Sequence, residues 1–198
     1  MTLIVLIRHG PTDWNQQHLV QGRSDIPLSE DGRAEVRGWR VPPEFASFDR
    51  VTSPLVRARE TAEILFGGPV PADDRLREMD WAGWEGRTLA DLRAEIGNLM
   101  TAWEARGLDF RAPGGESPRE VQARVLPLLA ERARAKTPTV AVCHRGVIRA
   151  IYALAISWDM TCKAPRRLAD GCAQIFTLAE DGMPSVQELD LPLTEPEP

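Results

Sequence analysis

Apolar and polar positions along the chain fall into short blocks of two kinds. Leu3-Ile4-Val5-Leu6-Ile7 and Val140-Ala141-Val142 are unbroken apolar runs rich in β-branched residues. Such runs read as strands covered on both faces of a parallel sheet. The first is expected over 2–8, another strand over 48–52, and a closing pair over 173–178 and 185–189. Blocks of helical spacing lie between them. Ser29 opens a helix running to about Trp39. Ser53 reads as an N-cap with Pro54 at the first helical position. Leu55, Ala58, Ala62 and Leu65 then mark one helix face, ending at Gly67-Gly68. Ser117 and Glu120 have capping-box spacing ahead of Val121, Val125, Leu128 and Leu129, with a kink expected at Pro127. Residues 147–156 are apolar nearly all round, which predicts a buried helix. Strands alternating with helices predict an α/β fold, a three-layer α/β/α sandwich with a mostly parallel central sheet.

The regular pattern breaks between Leu76 and Ser117. This lid-like segment, about 76–117, is rich in Trp and Gly, with helical pieces at 89–96 and 99–105. A short helical stretch is expected at 12–18 and a short edge strand at 70–72. Residues 1–190 read as a single domain without internal repeats. The proline-rich, acidic segment 191–198 is expected to be an unstructured tail.

Composition narrows the function classes. The 198 residues suffice for one well-buried core. A net charge of −5 argues against a nucleic-acid surface and offers an anion no global attraction, so any attraction must come from local arginines. No apolar stretch reaches the roughly 20 residues that span a bilayer, and the N-terminal run is too short for a signal peptide and lacks a basic segment before it. Three cysteines without metal-ligand spacing point to a reduced, cytoplasmic protein, with Cys143 a small core residue. Neither a nucleic acid nor a membrane is expected as a partner; a homodimer is left open.

Each of the two apolar runs delivers a histidine beside an arginine and a glycine: Arg8-His9-Gly10 and Cys143-His144-Arg145-Gly146. In open α/β sheets, ligands bind beyond the carboxyl ends of the strands. Two His-Arg pairs at such edges therefore suggest one anion site assembled from distant parts of the chain. A lone histidine is more often structural, and His18 is left in that class.

The ordered motifs resemble those of the histidine phosphatase (phosphoglycerate mutase-like) superfamily. They comprise Arg8-His9-Gly10 with Thr12, Trp14 and Asn15, then Gln21-Gly22 with Asp25, Pro27-Leu28-Ser29 and Gly32. Ser53-Pro54-Leu55, Arg57-Ala58 and Glu60-Thr61-Ala62 follow, then Leu76, Glu78, Gly83 and Glu85-Gly86, the loop 113–117, and His144 with Gly146. The resemblance covers about residues 3–150. It implies that His9 is the nucleophile forming a phosphohistidine, with its other ring nitrogen donating to a carbonyl or carboxylate. It implies that Arg8 and Arg57 hold the phosphate oxygens, with Asn15 as a neutral donor and Thr12 and Gln21 as lesser contacts. His144 would bind the transferring group opposite His9, as a donor or a cation. Glu78 would protonate the leaving oxygen, a role requiring a pKa raised by burial among neighbours such as Trp81 or Trp84; Asp80 and Glu85 are its rivals. Trp81, Trp84 and Trp103 are equally readable as packing or as substrate contacts.

Two positions depart from the family pattern: Pro11 removes one backbone donor, and Arg145 stands where many relatives have a small residue. The implied activity is metal-independent and cofactor-free hydrolysis of a small-molecule phosphate ester through a phosphohistidine. The short stretch 97–117, with only Arg106 and Arg111 as basic residues, favours a hydrolase over a mutase. Alternatives are a dedicated α-ribazole phosphate phosphatase, a phosphohistidine-protein phosphatase, a phosphoglycerate mutase, or a non-catalytic phosphate-binding protein.

Overall fold

Five strands make one sheet in the order β2-β3-β1-β4-β5: β1 (Thr2–Arg8), β2 (Asp49–Thr52), β3 (Thr139–Cys143), β4 (Cys172–Leu178) and β5 (Pro184–Pro192). A computed structural model describes residues 1–194. β2, β3 and β1 pair in parallel, whereas β4 runs antiparallel to both β1 and β5. The sheet is therefore mixed, with β4 the single reversed strand among the described residues.

The unbroken apolar runs follow from what lies on each face. Ile4 and Leu6 of β1, with Ala141 and Cys143 of β3, pack against α6 (Pro118–Arg134) and α7 (Arg145–Ala155). Val5 and Ile7, with Val140 and Val142, pack on the other side against α2 (Glu30–Gly38) and α3 (Val56–Phe66). Because strand side chains alternate between faces, two covered faces require apolar residues at every position. α7 is not apolar all round: Arg145 and Arg149 are exposed along one side, while Val147, Ile148, Ala150 and Ile151 are buried.

The helix ends largely follow the local sequence. α1 (Asp13–Gln16) starts with a Thr12–Asn15 capping box, and α2 with Ser29 accepting from Gly32 N. α6 starts with the Ser117–Glu120 box and runs on through Pro127 without ending there. The left-handed Gly67 (φ 73°) closes α3. Ser53 is not the N-cap of α3. The helix begins later, after Leu55, and its first amides are met from elsewhere: Leu55 N by Ser53 Oγ at 3.3 Å, and Val56 N by Asp25 Oδ1 at 2.7 Å. Pro54 belongs to the turn between strand and helix, so the sequence reading placed the start too early.

Two other expectations are corrected. Residues 70–72 make a single parallel bridge, Thr52 to Ala72, rather than a strand. The unstructured tail does not begin at Leu191. Leu191 and Pro192 belong to β5, and buried Leu193 donates its N–H to Gly171 O at 3.0 Å. Its last four positions, 195–198, lie outside the described residues.

The segment 76–117 carries α4 (Leu89–Ile96) and α5 (Asn98–Glu104) and has a small core of its own, with Val20, Trp84, Leu92, Met100 and Ala112 buried. Trp84 stacks on Trp81 (centroids 6.3 Å apart) and on Trp103 (5.7 Å), and Phe110 lies against the first two. These tryptophans pack against one another. No helix among the described residues is long and apolar enough to cross a membrane.

Ser117→Ala removes the hydroxyl that accepts from Glu120 N and should lower stability by about 1 kcal/mol. Urea unfolding should show a lower midpoint with an unchanged slope.

Candidate active site

The site grows out of strand register. Arg8 is paired with Cys143 and Thr52 with Val142, so β1, β3 and β2 end at one edge. The ladder continues one rung further, with His9 N donating to Cys143 O (3.0 Å) and Ser53 N to Val142 O (2.9 Å). His9 and His144 are thus the next residues on adjacent strands, which lie about 4.8 Å apart. Their ring centroids are 5.1 Å apart, tilted by 57°. The two rings lie together at the carboxyl edge of the sheet, as the two His-Arg motifs suggested.

Each ring is oriented by a neighbour. His9 Nδ1 donates to Gly10 O at 2.7 Å, which leaves the Nε2 lone pair free. Gly10 is itself tied down, its N–H donating to Thr61 Oγ1 at 3.0 Å, while Thr61 donates to Arg57 O at 2.7 Å. His144 is fully buried, and its Nε2 lies 2.7 Å from Ser53 Oγ. Ser53 Oγ accepts from Leu55 N at 3.3 Å, and with its own O–H donating to Nε2 the His144 proton sits on Nδ1. Burial first, then the charges of Arg8 and Arg57, holds the His9 imidazole well below its usual pKa against the raising effect of the Gly10 bond. Burial, then Arg57 and His9, does the same for His144. Both imidazoles therefore favour the neutral form.

Arg57 is 0% exposed. Its Nη1 donates to Ser24 O (2.9 Å) and its Nη2 to Gly22 O (2.6 Å), and burial, partly offset by Glu78, Asp25 and Glu85, lowers its pKa to about 10. The loop supplying those carbonyls is pinned by Glu85, which accepts from Arg23 N (2.8 Å), Ser24 N (2.7 Å) and Trp81 N (3.4 Å). A Cβ on Gly22 would meet Glu85 Oε1 at 2.2 Å and Met79 O at 2.8 Å, so only glycine lets the loop approach this closely.

Four buried side-chain nitrogens among the described residues have no hydrogen-bond partner: Arg8 Nε, Arg57 Nε, His144 Nδ1 and Trp158 Nε1. Three belong to this site. Buried polar groups are normally paired, and three unpartnered nitrogens, two of them guanidinium donors, are what an anion-binding site leaves unsatisfied until it is filled.

The remaining expected residues sort by what they touch. Glu78 is 6% exposed, with Oε1 accepting from Met79 N (2.8 Å) and Oε2 from Gly146 N (3.0 Å), two residues from His144. A Cβ on Gly146 would meet Glu78 Oε1 at 2.3 Å. Asn15 uses Oδ1 to accept from Thr12 N and Oγ1 (3.1 and 3.0 Å), which leaves its amide NH2 unused by that pair. Thr12 is fully buried and holds Asn15 and Gln21, with Gln21 Nε2 donating to its Oγ1 at 3.0 Å. It therefore positions the other two. Asp80 accepts from Ala82 N (2.8 Å) and faces Arg23 at 3.5 Å. For Glu85, burial opposes ionisation, but hydrogen bonds from Ser24, Arg23 and Trp81 prevail and hold the carboxyl below its usual range, which makes it a poor proton donor. His18 is exposed, with φ 56°. Pro11 gives its carbonyl to Ser29 N at 3.0 Å, and the close pass of Gly32 beneath it leaves no room for a Cβ.

Sequence reading named Ser53 and Thr61 within the ordered motifs without giving them a part in the site, and missed the backbone carbonyls of Gly22 and Ser24.

The buried histidines also set a stability profile. Unfolded histidine takes up a proton below about pH 6.5, whereas the folded rings stay neutral to well below that. The unfolded state then binds more protons, so stability falls as pH drops below 6.5, by up to about 1.4 kcal/mol per pH unit for each ring. Urea unfolding between pH 7.5 and 5.5 should show this loss, with a shallower slope in His144→Asn.

A profile of the histidine phosphatase superfamily (branch 1) matches residues 4–190. A 2,3-bisphosphoglycerate-dependent phosphoglycerate mutase of Azorhizobium caulinodans is 32% identical over 192 residues, which is 90% of this chain and 93% of that protein. A glucosyl-3-phosphoglycerate phosphatase of Mycobacterium tuberculosis is 37% identical over 169 residues, 76% of this chain and 73% of that one. The crystal structure of the α-ribazole phosphatase from Shigella flexneri superposes with a TM-score of 0.80 at 25% identity, covering 100% of both chains. With its two motif histidines side by side at the sheet edge and that profile spanning nearly its whole length, the chain belongs to the histidine phosphatase superfamily, branch 1.

Proposed function

We propose that the chain is a phosphomonoester hydrolase acting on small-molecule phosphates through a phosphohistidine on His9. The observation that carries this reading is the cluster of unpartnered buried donors, Arg8 Nε, Arg57 Nε and His144 Nδ1, around a neutral His9 whose Nε2 lone pair is free. Phosphoryl transfer needs positioning and fixed positive charge on the equatorial oxygens more than covalent help. The two guanidinium groups and the His144 donor supply these, and Asn15 can add its amide NH2.

In the first step His9 Nε2 bonds to phosphorus as the ester P–O bond breaks, and Glu78, protonated, gives its proton to the leaving oxygen. In the second, water attacks phosphorus, Glu78 takes its proton, and the N–P bond breaks to release inorganic phosphate and neutral His9. Glu78 suits the role by burial and by its place against Gly146. Asp80 and Glu85 are only half-buried, and hydrogen bonds hold the Glu85 carboxyl below its usual range.

Transfer to water is favoured over transfer within a phosphoglycerate by the disposition of the lid arginines. Arg111 is paired with Glu120, and Arg106 is exposed. Segment length does not separate the two activities, because the Azorhizobium mutase aligns over 93% of its length with this short chain. That likeness keeps a mutase as the second reading. A dedicated phosphatase, as the Mycobacterium and Shigella proteins are named, is the narrower form of the first.

Incubation with labelled aryl phosphate and an alkaline quench should leave label on His9 and none on His9→Ala, with phosphate released in step with ester consumed. Isomerisation of phosphoglycerate without net phosphate release would establish the mutase instead. Gly146→Ala should push the Glu78 carboxylate aside. Its kcat/KM on an alkyl phosphate should fall by about a hundredfold, and by far less on p-nitrophenyl phosphate, whose leaving group needs little help from an acid.

A further inference from the structure

A cavity of about 930 Å³ opens beside Arg8, between α7 and the loop that leads into β4. In a chain of net charge −5, seven basic and only two acidic side chains line it. Some of this charge is already matched, with Arg93 paired to Glu104 and Arg166 to Asp190, each at 2.7 Å. Arg8 and Arg145 share the carboxylate of Asp170, at 2.5 Å and 3.4 Å. Arg149, Lys163 and Arg167 make no ion pair with any described residue. Apolar and aromatic groups complete the wall. Ile148, Tyr152 and Trp158 line it, and the Arg149 guanidinium lies 5.4 Å from the centroid of the Trp158 ring.

Like charges crowd here. Burial first, then Arg8, holds the Arg145 guanidinium below its ordinary pKa, with Arg167 acting in the same direction and Asp170 opposing. Arg149 is lowered by burial and then by Arg145. Such crowding disfavours the empty state and favours any anion that enters. The cavity shares Arg8 with the phosphate site, and Arg145 directly follows His144, so a molecule whose phosphate sits between the histidines can extend into it.

We propose that this cavity is the leaving-group subsite and that it binds a second anionic group, a carboxylate or a phosphate, carried by the ester. Arg145 and Arg167 are its ligands, and the Tyr152–Trp158 wall lies against the carbon skeleton. This rests on the phosphomonoesterase reading above. The incoming anion replaces Asp170 at Arg145, where the contact is long, and leaves the shorter Arg8–Asp170 pair in place. Arg145, the departure from the family pattern, thereby becomes a determinant of specificity.

The test compares three esters: 4-(carboxymethyl)phenyl phosphate, 4-(phosphonomethyl)phenyl phosphate, and the uncharged amide of the first. Both anionic esters should exceed the amide in kcat/KM by about tenfold or more at low ionic strength, chiefly through KM, with the advantage shrinking in salt. The larger advantage identifies the preferred anion. Arg145→Ala combined with Arg167→Ala should erase the preference while leaving amide hydrolysis within about twofold, and Arg145→Lys should keep much of it. An enzyme that hydrolyses the amide ester but shows no anionic preference, or one unmoved by the double variant, overturns the subsite and leaves the phosphatase reading intact. If no ester releases phosphate and His9 takes no label, the proposed function itself fails and the subsite falls with it.

Discussion

Neighbouring parallel strands are held about 4.8 Å apart by their ladder, and in this chain that spacing sets the distance between two imidazoles far apart in sequence. β1 and β3 are adjacent and in register at Arg8 and Cys143, so His9 and His144 fall on the next rung. β2, on the far side of β3, ends level with them and brings Ser53 and the start of α3 to the same edge. A slip of one residue in either pairing would turn a histidine to the opposite face. The apolar runs that fill both faces of the sheet therefore do more than stabilise it. They fix the register on which the chemistry depends.

Charge and nucleophilicity are assigned to different residues. Burial keeps both histidines neutral, which preserves a lone pair on His9, while the permanent charge resides on Arg8 and Arg57. An arginine can be buried as Arg57 is because two backbone carbonyls already occupy two of its nitrogens and the loop carrying them is anchored by Glu85. Glu85 thus reaches Arg57 indirectly, through the loop whose carbonyls hold the guanidinium. Its contacts are those of a loop anchor, although its type and position made it a candidate acid.

The positions of the strands and of both histidines at their ends were legible because unbroken apolar runs have few interpretations. The caps at Ser29 and Ser117 were legible because they are local. What escaped is what depends on contacts between distant segments. Ser53 has the spacing of an N-cap, yet its hydroxyl serves His144, and Asp25 from another loop takes over an amide at the start of α3. The tail beyond Leu191 has the composition of an unstructured segment, but β4 offers it an edge and the 171 region an acceptor. Arg145 is ambiguous as a lone surface charge. It gains meaning only when Arg8, Arg149 and Arg167 are seen around the same cavity.

Cys143 immediately precedes His144 and lies within the sheet, fully buried. Burial, reinforced by the charge of Glu78, pushes its thiol far above the usual range. A sulfhydryl one residue from the reacting centre is thereby kept from forming thiolate. Cys162, by contrast, is exposed on the cavity wall. Oxidants therefore have access to a thiol at the cavity wall and none to the one beside His144.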